Sequence, residues 1–266
     1  MQLDGAVCVL TGAGGGIGRA LAQALAGQGA RLVLSGRSPD KLEALSSVLP
    51  QGSVAEVCAG DLNDPMVQEA ISEAARRNGA RLLINVCGCN VFGLLEDLSP
   101  EEIHELVGTN LVAPIQLTRK LLGYLKSQPE AMIVNVGSTF GAIGFPGYAV
   151  YSASKFGLRG FSEALMRELA DSRVRVLYVS PRATRTSMNP QSVTEMNETL
   201  GNAQDRPERV AAIILRSIAR EAKRTGIGWP ERFFARLNQL LPAVVDRALS
   251  KQLPTIKRFA LRQTQS

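Results

Sequence analysis

The chain reads as an α/β fold, a doubly wound parallel sheet flanked by helices, and three observations predict it. Short apolar runs alternate with longer helical segments. A glycine-rich turn joins the first apolar run to the first helical segment. The 266 residues are 45% apolar and 20% charged, the composition of an ordinary globule with room for one domain and a large core.

Ala6-Val7-Cys8-Val9-Leu10 is short enough for a buried strand. Thr11, Gly12, Ala13, Gly14, Gly15, Gly16, Ile17 and Gly18 follow it, and Arg19 to Ala26 is rich in Ala and Leu, as a helix would be. Such a turn lets backbone approach a pyrophosphate and aims helix N-terminal amides at it. The spacing is Thr-Gly-x-x-x-Gly-x-Gly, neither G-x-G-x-x-G nor a P-loop. A tight strand-to-helix connection without a ligand is the plain alternative.

Further strands are predicted at 31–34, 54–59, 82–86, 132–136 and 174–179, several apolar enough to be buried on both faces. Helices are predicted at 39–48, 65–77, 101–124 and 152–170. Ser99-Pro100-Glu101-Glu102 forms a clear helix start. Ligands on such sheets bind beyond the carboxyl ends of the strands. Residues 182–206, where Met188, Val193, Met196 and Leu200 punctuate a polar stretch, stand where a mobile lid would sit, with a surface loop as the alternative. Pro207 opens a helix through 223.

Tyr151 and Lys155 lie four residues apart in a helical segment, so they share a face. A free tyrosine titrates near pH 10, and a neighbouring ammonium pulls it toward the working range of an acid–base catalyst. Together with the glycine turn, this pair resembles the short-chain dehydrogenase/reductase family over roughly residues 5–225. The resemblance implies a Rossmann-like fold and hydride transfer between a nicotinamide and a carbonyl or carbinol carbon. It makes Tyr151 the acid/base and Ser138, 13 residues earlier, the partner of the substrate oxygen. Lys155 would hold the nicotinamide ribose and depress Tyr151, and Asn110 would anchor a water leading protons to Lys155. Asp61 and Leu62 correspond to the adenine contact, and Asn85-Val86-Cys87-Gly88 replaces the usual Asn-Asn-Ala-Gly. Pro181, Thr184 and Thr186 fall at a Pro-Gly-x-x-x-Thr element near the nicotinamide, with Arg182 in place of its glycine.

The cofactor expected is NADP(H). The second strand ends in Leu34-Ser35-Gly36-Arg37, without the acid that grips an NAD ribose and with a cation that matches a 2′-phosphate. Apolar residues at 91–95, 140–148 and in the lid suggest a hydrophobic carbonyl compound or alcohol. Two alternatives stand beside this reading. An acyl-carrier-dependent 3-ketoacyl reductase would offer an acidic partner to the basic tail, and a nucleotide-binding sensor or scaffold would explain Arg182 and Val86.

Cys8, Cys58, Cys87 and Cys89 form no C-x-x-C pair and read as small core residues in a reducing compartment. The single histidine, His104, cannot build a triad or a histidine zinc site and is given a surface role, so no metal is expected. No apolar stretch reaches membrane-spanning length and no signal peptide precedes the first strand, which points to the cytoplasm. No nucleic-acid partner is expected.

The net charge of +6 is uneven: from Arg206 onward thirteen basic residues face four acids. The catalytic domain is assigned to 1–228 and a basic amphipathic helical extension to 229–266. In that extension Phe233, Phe234, Leu237, Leu240, Leu241, Val244, Val245, Ala248 and Leu249 recur at helical intervals, with Pro242 beginning or kinking a helix. This stripe suits packing on its own domain, a homodimer mate, or an anionic membrane surface that would hold the protein peripherally at the inner face.

Overall fold

The computed structural model describes residues 1–263, so the last three residues of the expected extension lie outside it. The six expected strands form as β1 (Val7–Thr11), β2 (Arg31–Gly36), β3 (Val54–Ala59), β4 (Ala80–Asn85), β5 (Ala131–Val136) and β6 (Val174–Ser180). A short β7 (Arg224–Gly226) extends the sheet, and its Arg-Thr-Gly carries no apolar signal. The strands run parallel in the order β3-β2-β1-β4-β5-β6-β7. Every residue of β1 and β5 is buried, because helices cover both faces of the sheet there.

The helices are α1 (Gly16–Ala26), α2 (Pro39–Ser46), α3 (Pro65–Arg77), α4 (Pro100–Val107), α5 (Ala113–Ser127), α6 (Ala149–Glu168), α7 (Gln191–Thr199) and α8 (Pro207–Ala219). Proline at the first turn of α2, α3, α4 and α8 sets φ without losing a helical hydrogen bond. Alternate residues of β1 point to opposite faces. Cys8 and Leu10 pack with Leu21 and Leu25 of α1 and Ile214 and Ile218 of α8. Val7 and Val9 pack with Ile71 of α3 and Leu117 and Leu121 of α5. Strand order reverses between β1 and β4, and the crevice there opens beyond the carboxyl ends of the strands.

Two departures from the sequence pattern bear on the site. The helix expected over 101–124 is divided: after α4, whose start is a full Ser99/Glu102 capping box, a wide π turn at Gly108–Val112 precedes α5. Such single-turn widenings re-aim side chains and recur at functional sites. The expected lid carries α7, and it is tied back by parallel bridging of Thr184 with Asp205.

The chain then forms α9 (Trp229–Leu240) and α10 (Pro242–Gln263), so Pro242 starts a new helix. Ile256, Phe259 and Ala260 of α10 are buried with Val193 and Met196 of α7 and with Phe92, Phe145 and Tyr148. The extension therefore roofs the lid side of the domain. Its apolar stripe is divided: Val245 is buried, whereas Phe233, Phe234, Leu240, Leu241 and Val244 are exposed.

Candidate active site

A cavity of about 850 Å³ runs from the glycine turn, past the ends of β4, β5 and β6, to the underside of α7, α9 and α10. Gly12, Gly14, Gly15, Gly16, Ile17 and Gly18 line one end. Gly12 needs its glycine twice over: its φ is +67°, and a Cβ would stand 2.8 Å from the backbone of Cys87. Gly15 caps α1 with no side-chain hydrogen bond, which leaves the first-turn amides without a side-chain acceptor. An uncapped helix N-terminus facing a cavity lined by backbone fits a pyrophosphate. Thr11 is buried behind this turn, and its Oγ1 accepts from the Val86 and Cys87 amides, which fixes the end of β4 against β1.

At the end of β2, Gly36 and Arg37 line the cavity together with Ser38 and Lys41. Arg37 is half-exposed and pairs with Glu105 at 2.9 Å. Lys41 was not among the expected site residues. It stands in the first turn of α2, whose Ser38 N-cap also lines the cavity, and no local pattern in the sequence singles it out. Leu62 is buried, and Asp61 sits at the end of β3 accepting from the backbone and side chain of Asn63.

Tyr151 and Lys155 stand on α6, with the Lys155 ammonium 5.7 Å from the centre of the Tyr151 ring. Tyr151 and Ser138 both line the cavity. Ser138 ends β5, where its Oγ accepts from the Phe140 amide and its carbonyl accepts from Tyr178 Oη. Thr139 donates from its amide and its hydroxyl to the Pro181 carbonyl, locking the Ser138 loop to the end of β6. Asn110 is fully buried on the π turn, where its Oδ1 accepts from the Cys89 amide and its Nδ2 donates to the Cys89 carbonyl and Ser154 Oγ. Gly88, which lines the cavity, lies against Asn110 and Lys155: a Cβ there would stand 2.9 Å from Asn110 Oδ1 and 3.5 Å from Lys155 Nζ.

Electrostatics depart from the expected picture. Burial pushes the Tyr151 phenol up to about 12, against a smaller lowering by its hydrogen bond with Ser138. Burial pulls the Lys155 amine down to about 8, with Cys87 and Cys89 acting weakly the other way. The expected depression of Tyr151 by Lys155 is therefore not found, because desolvation acts on both groups and favours the neutral form of each.

Three further expectations are corrected by position. Asn85 does not reach the cavity: it is buried in the sheet, where Nδ2 donates to Asn135 Oδ1. Cys87 and Cys89 are not core residues but cavity-lining ones, whereas Cys8 and Cys58 are buried in the core. Arg182 lines the cavity, but its guanidinium is held elsewhere. It donates from Nε and Nη2 to the two carboxylate oxygens of Asp205 at 2.9 and 3.0 Å, and from Nη1 to Glu231 at 3.4 Å. This cation therefore ties the end of β6 to the lid and to α9. Pro181, Thr184 and Thr186 line the same stretch of cavity, and Thr186 lies against Gly16.

The far half of the cavity is apolar. Phe140, Phe145 and Tyr148 form an aromatic wall beside Tyr151, with the Tyr148 and Tyr151 rings 5.8 Å apart. Val193 of α7 and Leu237, Val245 and Leu249 of the extension complete it. No cluster of His, Cys, Asp or Glu among the described residues is arranged to hold a metal.

Residues 6–197 match the short chain dehydrogenase family. The chain is 32% identical over 190 residues to the 3-oxoacyl-acyl-carrier-protein reductase FabG of Escherichia coli (strain K12), covering 71% of this chain and 77% of that one. It is 31% identical over 264 residues to dehydrogenase/reductase SDR family member 7B of Bos taurus, covering 93% and 81%. Among solved structures, a short chain dehydrogenase from Burkholderia cenocepacia J2315 in complex with NADP superposes with a TM-score of 0.80 at 25% identity, over 94% of this chain and 99% of that one. A parallel sheet with its order reversing at a glycine turn, Tyr151 lining the crevice with Lys155 one turn on in the same helix, and these likenesses lead to one conclusion: the chain belongs to the short-chain dehydrogenase family and is an oxidoreductase acting between CH–OH and C=O.

Proposed function

We propose that the chain is an NADP(H)-dependent oxidoreductase that interconverts a carbonyl and a hydroxyl group on a hydrophobic substrate, with Tyr151 as acid/base. One observation carries this reading: Tyr151 and Ser138 meet where a backbone-lined, uncapped helix end gives way to an apolar cavity. The nicotinamide, when bound, supplies or accepts the hydride. Gly12 to Gly18 hold the pyrophosphate, Asp61 and Leu62 border the adenine, and Arg37 takes the 2′-phosphate with Lys41 beside it. An exposed Arg37–Glu105 pair is worth about 0–1 kcal/mol, which a phosphate with two facing cations outweighs. Pro181, Thr184 and Thr186 border the nicotinamide.

Ser138 hydrogen-bonds the substrate oxygen, and Tyr151, kept protonated by its burial, donates to the forming alkoxide. Lys155, buried beside Asn110 and behind Gly88, holds the ribose and returns the proton through the Asn110 side. The 229–266 extension acts as a roof of the 1–228 domain. We assign its exposed stripe to an anionic membrane surface rather than to a homodimer mate, and the enzyme to the cytoplasmic side.

Consumption of NADPH with a panel of apolar ketones tests the reading. Tyr151→Phe removes the proton donor and keeps the ring, so turnover falls by at least about 10²-fold while NADPH fluorescence titrations stay nearly unchanged. Retained turnover in that variant would refute the role of Tyr151. Binding of NADPH without turnover of any substrate would leave the sensor reading, and turnover confined to acyl-carrier thioesters the ketoacyl reductase reading.

A further inference from the structure

We infer that α9 and the start of α10 form a docking face for an anionic lipid surface, through which a single-chain amphiphilic ketone or alcohol passes directly into the cavity. The substrate half of this inference rests on the oxidoreductase reading above; the docking half does not.

The first observation is the apolar face itself. Trp229 is 73% exposed, Leu240 78%, Leu241 56%, Val244 52% and Phe233 50%. The aromatic ones adjoin, the Trp229 and Phe233 rings 6.4 Å apart and the Phe233 and Phe234 rings 5.7 Å apart, and Leu240, Leu241 and Val244 follow at the junction of the two helices. A contiguous exposed patch of this kind marks an interaction surface.

The second is continuity with the cavity. Phe234 and Val244 belong to the exposed face and also line the cavity, so the patch forms its rim. From this rim Leu237, Val245 and Leu249 lead inward to Tyr148 and Tyr151. An alkyl tail can lie along this path with its oxygen at Ser138 and its far end still in the lipid.

The third is charge. Arg232, Arg236, Arg247 and Lys251 are exposed on the same two helices, and none has a carboxylate within ion-pair distance among the described residues. Some exposed cations on the sheet domain pair with acids, as Arg37 does with Glu105, Arg77 with Glu56 and Lys120 with Glu69, whereas these four stand together without one. Glu231 is turned inward to Arg182, which leaves Asp246 as the acid of this face. Aromatic and leucine side chains interleaved with unpaired arginines suit a helix lying in the plane of an anionic interface. No described helix is long and apolar enough to cross a membrane. An acidic carrier protein would meet the cations but leave Trp229 and Phe233 in water.

Trp229 is the chain's single tryptophan, so its emission reports this face directly. The full chain is mixed with phosphatidylcholine vesicles, with and without phosphatidylglycerol, at low and high salt. Emission moves to the blue and protein cosediments with anionic vesicles at low salt. The effect weakens at about 1 M salt, where the screening length falls to about 3 Å. Arg236→Glu with Arg247→Glu lowers partitioning at least about tenfold with an unchanged melting temperature. Phe233→Ser, outside the cavity lining, lowers it in a second, charge-independent way. In the charge-reversed variant, NADPH oxidation slows with a vesicle-embedded long-chain ketone and stays unchanged with a short water-soluble one. Absence of both the emission shift and cosedimentation with anionic vesicles at low salt overturns the docking. So does an equal emission shift with a soluble acidic carrier protein in place of vesicles. Vesicle binding that persists without turnover of any ketone supports the docking and overturns the oxidoreductase reading instead.

Discussion

Replacing Arg182 by alanine should loosen the lid and the extension together. Asp205 is 1% exposed and Arg182 12% exposed, and they share two hydrogen bonds at 2.9 and 3.0 Å. Removing one partner of a buried pair costs about 3–5 kcal/mol, because the other charge is left buried. Arg209 also reaches Asp205 at 3.1 Å but is 63% exposed, so it offers partial, solvent-screened compensation. A loss of about 2–3 kcal/mol follows. At about 2–4 °C per kcal/mol for a chain of this size, the melting temperature should fall by roughly 4–12 °C. Circular dichroism melts of the wild type, Arg182→Ala, Asp205→Ala and the double variant measure it, and the cycle should return a coupling of about 1–3 kcal/mol. Because the same guanidinium reaches Glu231 on α9, the single variant should also raise KM for apolar substrates. A melting temperature within about 1 °C of wild type, with no coupling to Asp205, would refute the clamp.

Arg37→Ala and Lys41→Ala should each weaken NADPH by about 10–100-fold and NADH little, since a charge-assisted contact with a phosphate contributes about 1.5–3 kcal/mol; dissociation constants for both cofactors decide it, and tighter NADH binding by the wild type would defeat the cofactor assignment. Lys155 titrates near 8 when folded against an ordinary value of 10.5, so between these pH values the unfolded chain binds more protons and stability rises with pH, by about 3 kcal/mol in all. Tyr151, raised from 10 to about 12, acts oppositely above pH 10, so the rise should be visible from pH 8 to 10. Lys155→Met should be more stable at pH 7 and lack this rise, as urea midpoints across that range will show; an unchanged slope would mean that the amine is solvated. Gly228→Ala should cost about 1–3 kcal/mol by thermal melting, because φ there is +99° and a Cβ would meet the Arg182 side chain at 2.8 Å.

The sequence by itself determined the layered sheet, because continuous apolar runs such as Val7 to Leu10 and Met132 to Val136 have no stable place except between two covering layers. It also determined the chemistry, since the i,i+4 spacing of Tyr151 and Lys155 and the turn from Gly12 to Gly18 are local patterns with local geometry. Local pattern could not show β7, whose Arg224-Thr225-Gly226 forms a strand through pairing with Tyr178 to Ser180 alone. It could not show that Asn85 turns to Asn135, because a side chain's choice between cavity and neighbouring strand depends on register across the sheet. The sign of the Tyr151 shift was likewise hidden: spacing brings the ammonium close, but enclosure by distant segments decides that burial sets the direction. Arg182 shows the same division, since a cation after Pro181 reads as an intrusion on the nicotinamide until Asp205 and Glu231, 23 and 49 residues away, are brought to it. The amphipathic stripe of the extension was legible as a stripe, but which half is covered was decided by where α7 and the wall of Phe92, Phe145 and Tyr148 end, beyond which Trp229, Phe233 and Leu240 are exposed among the described residues.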